Sequence, residues 1–456
     1  MRKFRRAMAL VLALALVVAC FAGCGGKTGM EAAGTVNEEM AALLPKMELE
    51  NKTVNFFTHL TEEQLTNPDN KYGMDLGLDI FRNVYGGDIV IDPIVNWGEY
   101  WNKVSAMYVS DQMPDLIQGG YAEFAMFLSQ DLIAAVDEYM PGGFKTDLWK
   151  GVASILEDYD WKDKNYIIPY SAGPFALIYF NPKLFEQNGV DSPLDLWEDG
   201  NWTWEEFRRI AKEMTMDTDN NGETDVYGVQ TTNTILEQLV VTADANFMTI
   251  ENDSEIAWHW DDVRIADAAN QWRDMFVTDK SIGGNFASGT AAMSYFPAYN
   301  DNGMDAGWKA PFTDIFADGV VDFVPLPRYK DVDEHILSTR DQPGILASKA
   351  KNPEGAAAFM ASMRLASSTE YYASQDGWKD RYYEWGWTDE QIDRAFFEFP
   401  ELKTVGIVYH SWAGGNPFLP GFADLFKDKT FAQVRAENEP KCVKQANEYY
   451  EVLKTL

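Results

Sequence analysis

The sequence predicts an α/β protein divided into at least two lobes, and three observations carry that prediction. The chain has 456 residues, whereas a single hydrophobic core stops growing at roughly 250–300 residues. Between Val54 and Gln118, short apolar runs alternate with stretches of helical spacing, the pattern of parallel strands joined by crossover helices. Finally, Asn165–Lys183, NYIIPYSAGPFALIYFNPK, holds two buried-strand runs around a patch of Ser, Ala, Gly and Pro, so it is the expected crossing between lobes and a candidate hinge.

The first 23 residues are read as an export signal outside the fold. Arg2, Lys3, Arg5 and Arg6 form a basic start, Ala7–Ala19 an apolar stretch of secretory length, and Phe21-Ala22-Gly23-Cys24 a small-residue cleavage site. The apolar stretch is too short and wrongly flanked for a membrane span. A cysteine after small residues resembles the lipobox of bacterial lipoproteins, which makes Cys24 the lipidated N-terminus, carrying palmitate-type chains. Cys20 is the alternative, but the flexible Gly25-Gly26-Lys27-Thr28-Gly29 begins after Cys24. A phosphate-loop reading of Gly26-Lys27-Thr28 fails because Phe21 stands where the first glycine is required. Residues 24–50 are expected to be anchor and tether, with a helical turn around Glu38–Lys46 and the folded part starting near Lys52.

Only Cys442 remains in the mature chain, so stability must come from core burial rather than an internal disulfide. Without the signal, 34 basic residues face 71 acidic ones, a net charge of −37. That balance argues against nucleic acid and against a basic membrane-surface face. The 15 Trp, 21 Tyr and 27 Phe suit both cores and sugar-binding clefts, since a flat ring offers an apolar face beside a polar edge.

Taken in order, Val54–Phe57 is a strand delivering Thr58 and His59 to its C-terminal end. Gly87–Asp92 is a second strand, and Trp97–Val109 a helix with Trp101, Val104 and Met107 in register. Pro114–Gln118 is a third strand opening into Gly119-Gly120-Tyr121. Ligands of open parallel sheets bind beyond the carboxyl ends of the strands, which turns His59 and Gln118–Glu123 toward a cleft. His59 as a surface histidine, and Tyr121 packing on its own helix, are the plain alternatives. After the hinge, Thr203 and Glu206 form a capping box for a helix whose Trp204, Phe207, Ile210, Ala211 and Met214 share one face; that face is core.

Asp217, Asp219, Asn221, Glu223 and Asp225 offer oxygens at alternate positions, with Gly222 sixth, as at the opening of an EF-hand-type calcium loop. The twelfth position is Gly228 instead of a bidentate glutamate, so a structural calcium and a solvated Asn-Gly turn both remain open, and no other cofactor is required. Ala292–Phe296 and Asp322–Val324 read as further strands. Asn352-Pro353-Glu354 caps a helix over Ala356–Leu365 with Pro at the first helical position, and the C-terminal part is largely helical.

In this order, MPDLIQGG, PYSAGPFALIYFNPKLFEQNGV, NWTWEEFRRIAKEMTMDTDNNGETDVYGV, FASGTAAM, VDFVPLPR and SKAKNPEGAAAFMASM resemble the extracellular solute-binding proteins of family 1, carbohydrate-binding subunits of bacterial ABC importers, over about residues 50–365. The resemblance implies a two-lobed periplasmic-binding-protein-like fold, each lobe a mainly parallel sheet flanked by helices, with ligand held between lobes that close on a hinge. The expected assignment is residues 51–168 and 292–350 to lobe 1, and 169–291 and 351–456 to lobe 2. By position, the resemblance implies ligand contacts from Thr58, His59, Tyr121, Glu123, Tyr170, Asn233, Tyr295, Tyr299 and Trp412, beside the Gln118 that the strand-end rule supplies. The chain departs from the pattern after FASGTAAM, where Phe296-Pro297-Ala298-Tyr299 replaces a Gly-Trp, so Tyr299 stands in for the stacking tryptophan. Trp258, Trp260 and Trp308 are added candidates, Trp308 foremost because its loop is glycine-flanked.

The resemblance further implies a monomeric binding protein, not an enzyme, held at the outer face of the cytoplasmic membrane and handing a sugar or oligosaccharide to importer permease subunits. A surface sensor or adhesion lipoprotein and a secreted glycoside hydrolase are the alternatives. No HExxH, GxSxG or GxGxxG motif appears, and His59, His259, His335 and His410 have no metal-ligand spacing.

Overall fold

A computed structural model describes residues 36–66, 74–93, 96–174, 176–231, 235–251, 255–297, 321–339, 343–375, 377–384, 386–412 and 429–455. Its first sheet has strand β1 (Thr53–Thr58) at the centre, parallel to β2 (Asp88–Pro93) and β3 (Leu116–Ile117). The crossovers are helix α1 (Asp75–Ile80), extended by a wide turn Phe81–Tyr85, and α2 (Trp97–Val109). Successive side chains of a strand point to opposite faces. Val54 and Phe56 therefore enter one apolar cluster and Phe57 another, and the strand is buried on both sides.

The second sheet runs β10 (Asp322–Val324), β5 (Ala176–Phe180), β9 (Ala291–Pro297), β6 (Tyr227–Gln230). It is mixed: β5 is antiparallel to β10 and β9, and only β6 runs parallel to β9. Every residue of β5 is buried, with Leu177 and Tyr179 in one cluster and Ile178 and Phe180 in another. Between β6 and β9 in the chain, β7 (Met248–Glu251) and β8 (Glu255–Trp258) pair antiparallel with each other.

The two strand runs read at the candidate hinge belong to different assemblies. Strand β4 (Ile167–Ile168) pairs with β12 (Gly344–Ile345), and Leu346 bridges Leu116 at the edge of the first sheet. The chain therefore leaves the first assembly through Tyr170–Pro174 and returns to it at Gly344. Strands β9 and β10, expected with lobe 1, pair with β5, and helix α7 (Pro353–Ala366), expected with lobe 2, packs on the first sheet's cluster through Phe359 and Met363. An apolar run identifies a strand without identifying its partner, and only hydrogen-bond register does that. The tether also ends earlier than residue 50: Leu44 is buried, Val36, Met40, Leu43, Met47 and Leu49 pack on the same cluster, and the Tyr85 hydroxyl donates to the Pro45 carbonyl at 2.7 Å.

Helix α7 is buried around its whole circumference, as expected for a helix inside a core rather than on its surface. Asn352 caps it, accepting from Gly355 N at 3.1 Å, while its amide donates to the carbonyls of Asn51 and Thr53 at 3.1 and 2.8 Å. Asp115, inside the MPDLIQGG stretch, ties the same corner from the other side. Its carboxylate accepts from Asn55 N at 2.8 Å, Asn55 Nδ2 at 3.1 Å, Lys351 N at 3.0 Å and Asn352 N at 2.8 Å, and the residue is 1% exposed. This clamp holds the amino-terminal ends of β1 and β3.

Candidate functional site

Beyond the opposite, carboxyl ends of β1 and β3 lies a cluster of polar side chains. The backbone N–H of His59 donates to Gln118 Oε1 at 3.1 Å, His59 Nδ1 lies 2.6 Å from the same oxygen, and the Thr58 hydroxyl also donates to it. The backbone N–H of Gln118 donates to the Tyr100 hydroxyl at 2.7 Å, which donates in turn to the Phe57 carbonyl at 2.9 Å. Thr58 and Gln118 are buried and His59 is half-buried. Desolvation raises the Tyr100 phenol well above its ordinary range, so it stays a neutral donor.

Next in the chain, Tyr121–Glu123 forms a single 3-10 turn in which Glu123 Oε2 accepts from Gly120 N at 2.9 Å. The turn precedes α3 (Phe124–Ser129). The Tyr121 ring lies 4.5 Å from that of Tyr159, just past α4 (Ala153–Asp158). Two residues on, Trp161 packs 5.6 Å from Trp412, the last residue of α8 (Val408–Trp412). Gly406 allows this approach: an added Cβ there would sit 2.4 Å from the Tyr159 ring. Its N–H donates to Asp158 at 2.5 Å, and desolvation pushes that carboxyl up to about 7, with Glu157 and Asp160 adding to the rise and Lys403 opposing it.

Strands β11 (Ile336–Ser338) and β13 (Lys403–Val405) run parallel and end at the same place, where Thr339 N donates to the Val405 carbonyl at 3.1 Å. Behind β11, Gln238 of α6 (Ile235–Thr242) accepts from the Ser338 hydroxyl. Four polar atoms of this region are buried and have no hydrogen-bond partner among the described residues: Trp161 Nε1, Trp412 Nε1, Gln238 Nε2 and Thr339 Oγ1. Leaving such a group unpaired costs about 1–3 kcal/mol, and two of them are the indole N–H groups of the tilted Trp161–Trp412 pair, a combination suited to a polar ligand with flat apolar faces.

The structure thus brings together Thr58, His59 and Gln118 directly, and packs Tyr121 against Tyr159 and Trp412 against Trp161, while Glu123 is tied to Gly120. Tyr170 and Tyr295 are core residues. Tyr170 packs in the first sheet's cluster, its carbonyl accepting from Arg364 at 3.1 Å, and Tyr295 is 1% exposed on β9. Trp260 is also buried, 5.2 Å from Phe247, and Trp258 is half-buried. Cys24, Asn233, Tyr299 and Trp308 lie outside the described residues. Sequence reasoning missed Tyr159, Trp161, Gln238 and Thr339. The aromatic pair flanking Asp160 was the available signal for the first two, whereas Gln238 and Thr339 had none.

A separate cavity of about 780 Å³ opens beside Ser171–Pro174. Leu148 on one wall belongs to the cluster on the first sheet, and Tyr372, Phe396 and Phe399 on the other to the cluster on the second. Arg364 also lines it.

The acidic loop places one carboxylate oxygen each of Asp217, Asp219 and Asp225 within 4.8 Å of one another. Each also serves the loop itself. Asp217 accepts from Asn221 N and Gly222 N at 3.1 and 2.7 Å, Asp225 from the Thr218 N–H and hydroxyl at 2.7 and 2.6 Å, and Asn221 Nδ2 donates to Asp219 at 3.0 Å. Glu223 contributes its N–H to Asn221 Oδ1 at 2.7 Å. The hydroxyl and N–H of Thr218 hold the Asp225 carboxyl below its ordinary range. The structure explains why the twelfth position is glycine. Strand β6 lies so close to α5 (Trp204–Glu213) that a Cβ on Gly228 would sit 1.9 Å from the Ala211 carbonyl oxygen. Gly228→Ala should therefore destabilise the protein by about 1–3 kcal/mol through overpacking. An unchanged urea midpoint would show that the strand can shift away.

The sequence profile of the bacterial extracellular solute-binding proteins matches residues 81–370, more than half of the chain. This chain belongs to that family. Among solved structures, the solute-binding protein is similar to an extracellular solute-binding protein from Staphylococcus aureus in complex with maltose, with a TM-score of 0.61, 12% identity, and 87% of this chain and 98% of that chain covered. It is similar also to an ABC substrate-binding protein from Listeria monocytogenes in complex with cycloalternan (TM-score 0.59, 14% identity, coverage 87% and 100%). A third is the galacto-N-biose/lacto-N-biose I-binding protein of a Bifidobacterium longum ABC transporter in complex with lacto-N-biose (TM-score 0.59, 15% identity, coverage 88% and 98%). The fold is accordingly the two-lobed α/β fold of these proteins, and the family is one of exported binding proteins rather than enzymes. No helix among the described residues is long and apolar enough to cross a membrane.

Proposed function

We propose that the protein captures a sugar or oligosaccharide between its lobes outside the cell and delivers it to an ABC importer, held to the membrane through lipid on Cys24. The observation that carries this reading is the pair of buried indole N–H groups without partners among the described residues on the packed rings of Trp161 and Trp412. Pyranose hydroxyls would satisfy the polar atoms while the rings cover C–H faces. The sugars bound to the three similar proteins support the ligand class. The order of chain crossings supports closure about Tyr170–Pro174 and Gly344. Tyr299, Trp308 and Asn233 are proposed as further contacts, and the Asp217–Asp225 loop as a structural calcium site.

The test is a thermal-shift screen of the chain from Gly25 onward against maltose, lacto-N-biose, cycloalternan and a wider glycan panel, in calcium and in EDTA. A ligand of the folded state at 100 Kd stabilises by about 2.7 kcal/mol, so a shift of several degrees with one glycan class is expected. No shift with any glycan would reject the sugar reading, turnover of a glycan would reject the binding-only reading, and equal melting in calcium and EDTA would reject the ion.

A further inference from the structure

Helix α4 meets, with two side chains, the edge of β13 that faces away from β11. Along a strand the backbone groups of successive residues turn to opposite edges. Val405 faces β11, where its carbonyl accepts from Thr339 N at 3.1 Å, so the Thr404 carbonyl and the Gly406 N–H face the other way. There the Ser154 hydroxyl donates to the Thr404 carbonyl at 2.7 Å, and the Gly406 N–H donates to Asp158 Oδ2 at 2.5 Å. Ser154 and Asp158 stand four residues apart, hence on one face of α4. One supplies the donor that the carbonyl needs and the other the acceptor that the N–H needs, as a neighbouring strand would.

Gly406 leads into α8, which packs against the Tyr121–Glu123 turn, α3 and β7 and ends at Trp412. The Tyr159 ring fills the space over Gly406, so the chain has one close-fitting course into the helix. Desolvation raises the Asp158 carboxyl to about 7, against the lowering effect of the Gly406 hydrogen bond. Of the charged groups around it, Glu157 and Asp160 on its own segment add to the rise, and Lys403 of β13 opposes it while lying 2.8 Å from Asp244. The ionised carboxylate is the stronger acceptor, since a charged partner roughly doubles a hydrogen bond. We propose that Asp158 is a positioning residue for the sugar site, holding Gly406 so that α8 carries the Trp412 indole in its binding orientation. This rests on the reading of Trp412 as a sugar contact, and it deepens that reading by naming the group that fixes the contact in place.

The indole 15N–1H resonance of Trp412, identified by its loss in Trp412→Phe, reports the placement of α8 in the sugar-free protein. Asp158→Ala should move it. Asp158→Asn, whose amide oxygen still accepts from Gly406, should bring it back near the wild-type position. In wild type the resonance should also shift with pH around a midpoint of about 7, and Asp158→Asn should lose that shift. A resonance indifferent to Asp158→Ala, or a pH curve unaltered by Asp158→Asn, overturns the proposal. If Asp158→Ala does not fold, the pH comparison between wild type and Asp158→Asn decides alone. Calorimetric titration with maltose, lacto-N-biose and cycloalternan in turn reads the consequence for binding. A sugar that binds should do so roughly tenfold more weakly in Asp158→Ala, with most of the affinity restored in Asp158→Asn. Equal affinities in all three proteins overturn the role in binding. Should none of the sugars bind while the resonance behaves as described, the sugar reading falls and the hold of Asp158 on α8 stands.

Discussion

Asp115→Ala should lower the stability of the protein by about 2–4 kcal/mol, because the substitution removes the partner of one buried and two part-buried backbone N–H groups, and a buried group left unpaired costs about 1–3 kcal/mol. Those groups are Asn55 N on β1 and Lys351 N and Asn352 N at the start of α7, all now 2.8–3.0 Å from the carboxylate. Water reaches the exposed Asn55 and Lys351, but not Asn352, which is 3% exposed. Asp115→Asn keeps one carbonyl oxygen and should lose less than half as much. The carboxylate also ties the amino-terminal ends of β1 and β3 together, so the register that brings Thr58 and His59 to Gln118 should loosen along with the stability. Urea denaturation of the two variants checks the ranking. A loss within about 0.5 kcal/mol of wild type for Asp115→Ala would mean that the corner is held by strand pairing alone.

Trp412→Ala should cost a similar amount, about 3–5 kcal/mol, since it removes a fully buried indole from the largest apolar cluster and leaves a cavity against Trp161. The informative variant is Trp412→Phe. The indole N–H has no partner among the described residues, so its deletion breaks no hydrogen bond to them, and the phenyl ring fills most of the volume. Folding stability should fall by only about 1–2 kcal/mol, while sugar affinity should drop roughly tenfold if the N–H donates to ligand. Calorimetric titration separates the two effects. Wild-type affinity in a stable Trp412→Phe protein would remove the indole N–H from the site and leave Trp412 as packing.

Much of the fold was legible along the chain because local rules wrote it there. The period-2 run Val54–Phe57, the Thr203 and Asn352 caps and the Pro at position 353 state their elements without reference to anything distant. The candidate site was legible in part. His59 and Gln118 follow from the rule that ligands gather at strand ends, and Trp412 from the family resemblance. Tyr170 and Tyr295 match the same resemblance yet face cores, since a tyrosine beside a hinge or at a strand end is equally suited to fill an apolar cluster, and only the face of the strand decides.

The sequence by itself determined the class of the protein: the division into lobes, the strand and helix order, the crossing near Tyr170–Pro174, and the expectation of an exported binding protein. Local propensity, chain length and composition act within a few residues or on the whole chain, and both kinds of information survive in one dimension. Only the tertiary structure decided which strands pair, so that Ala291–Pro297 and Asp322–Val324 join β5 while α7 returns to the first sheet. It alone also brought Trp161 to within 5.6 Å of Trp412, 251 residues further along the chain, and gave Gln118 Oε1 three donors. Register and hydrogen-bond direction are set by groups distant in sequence, and their partners are chosen by packing rather than by neighbours in the chain.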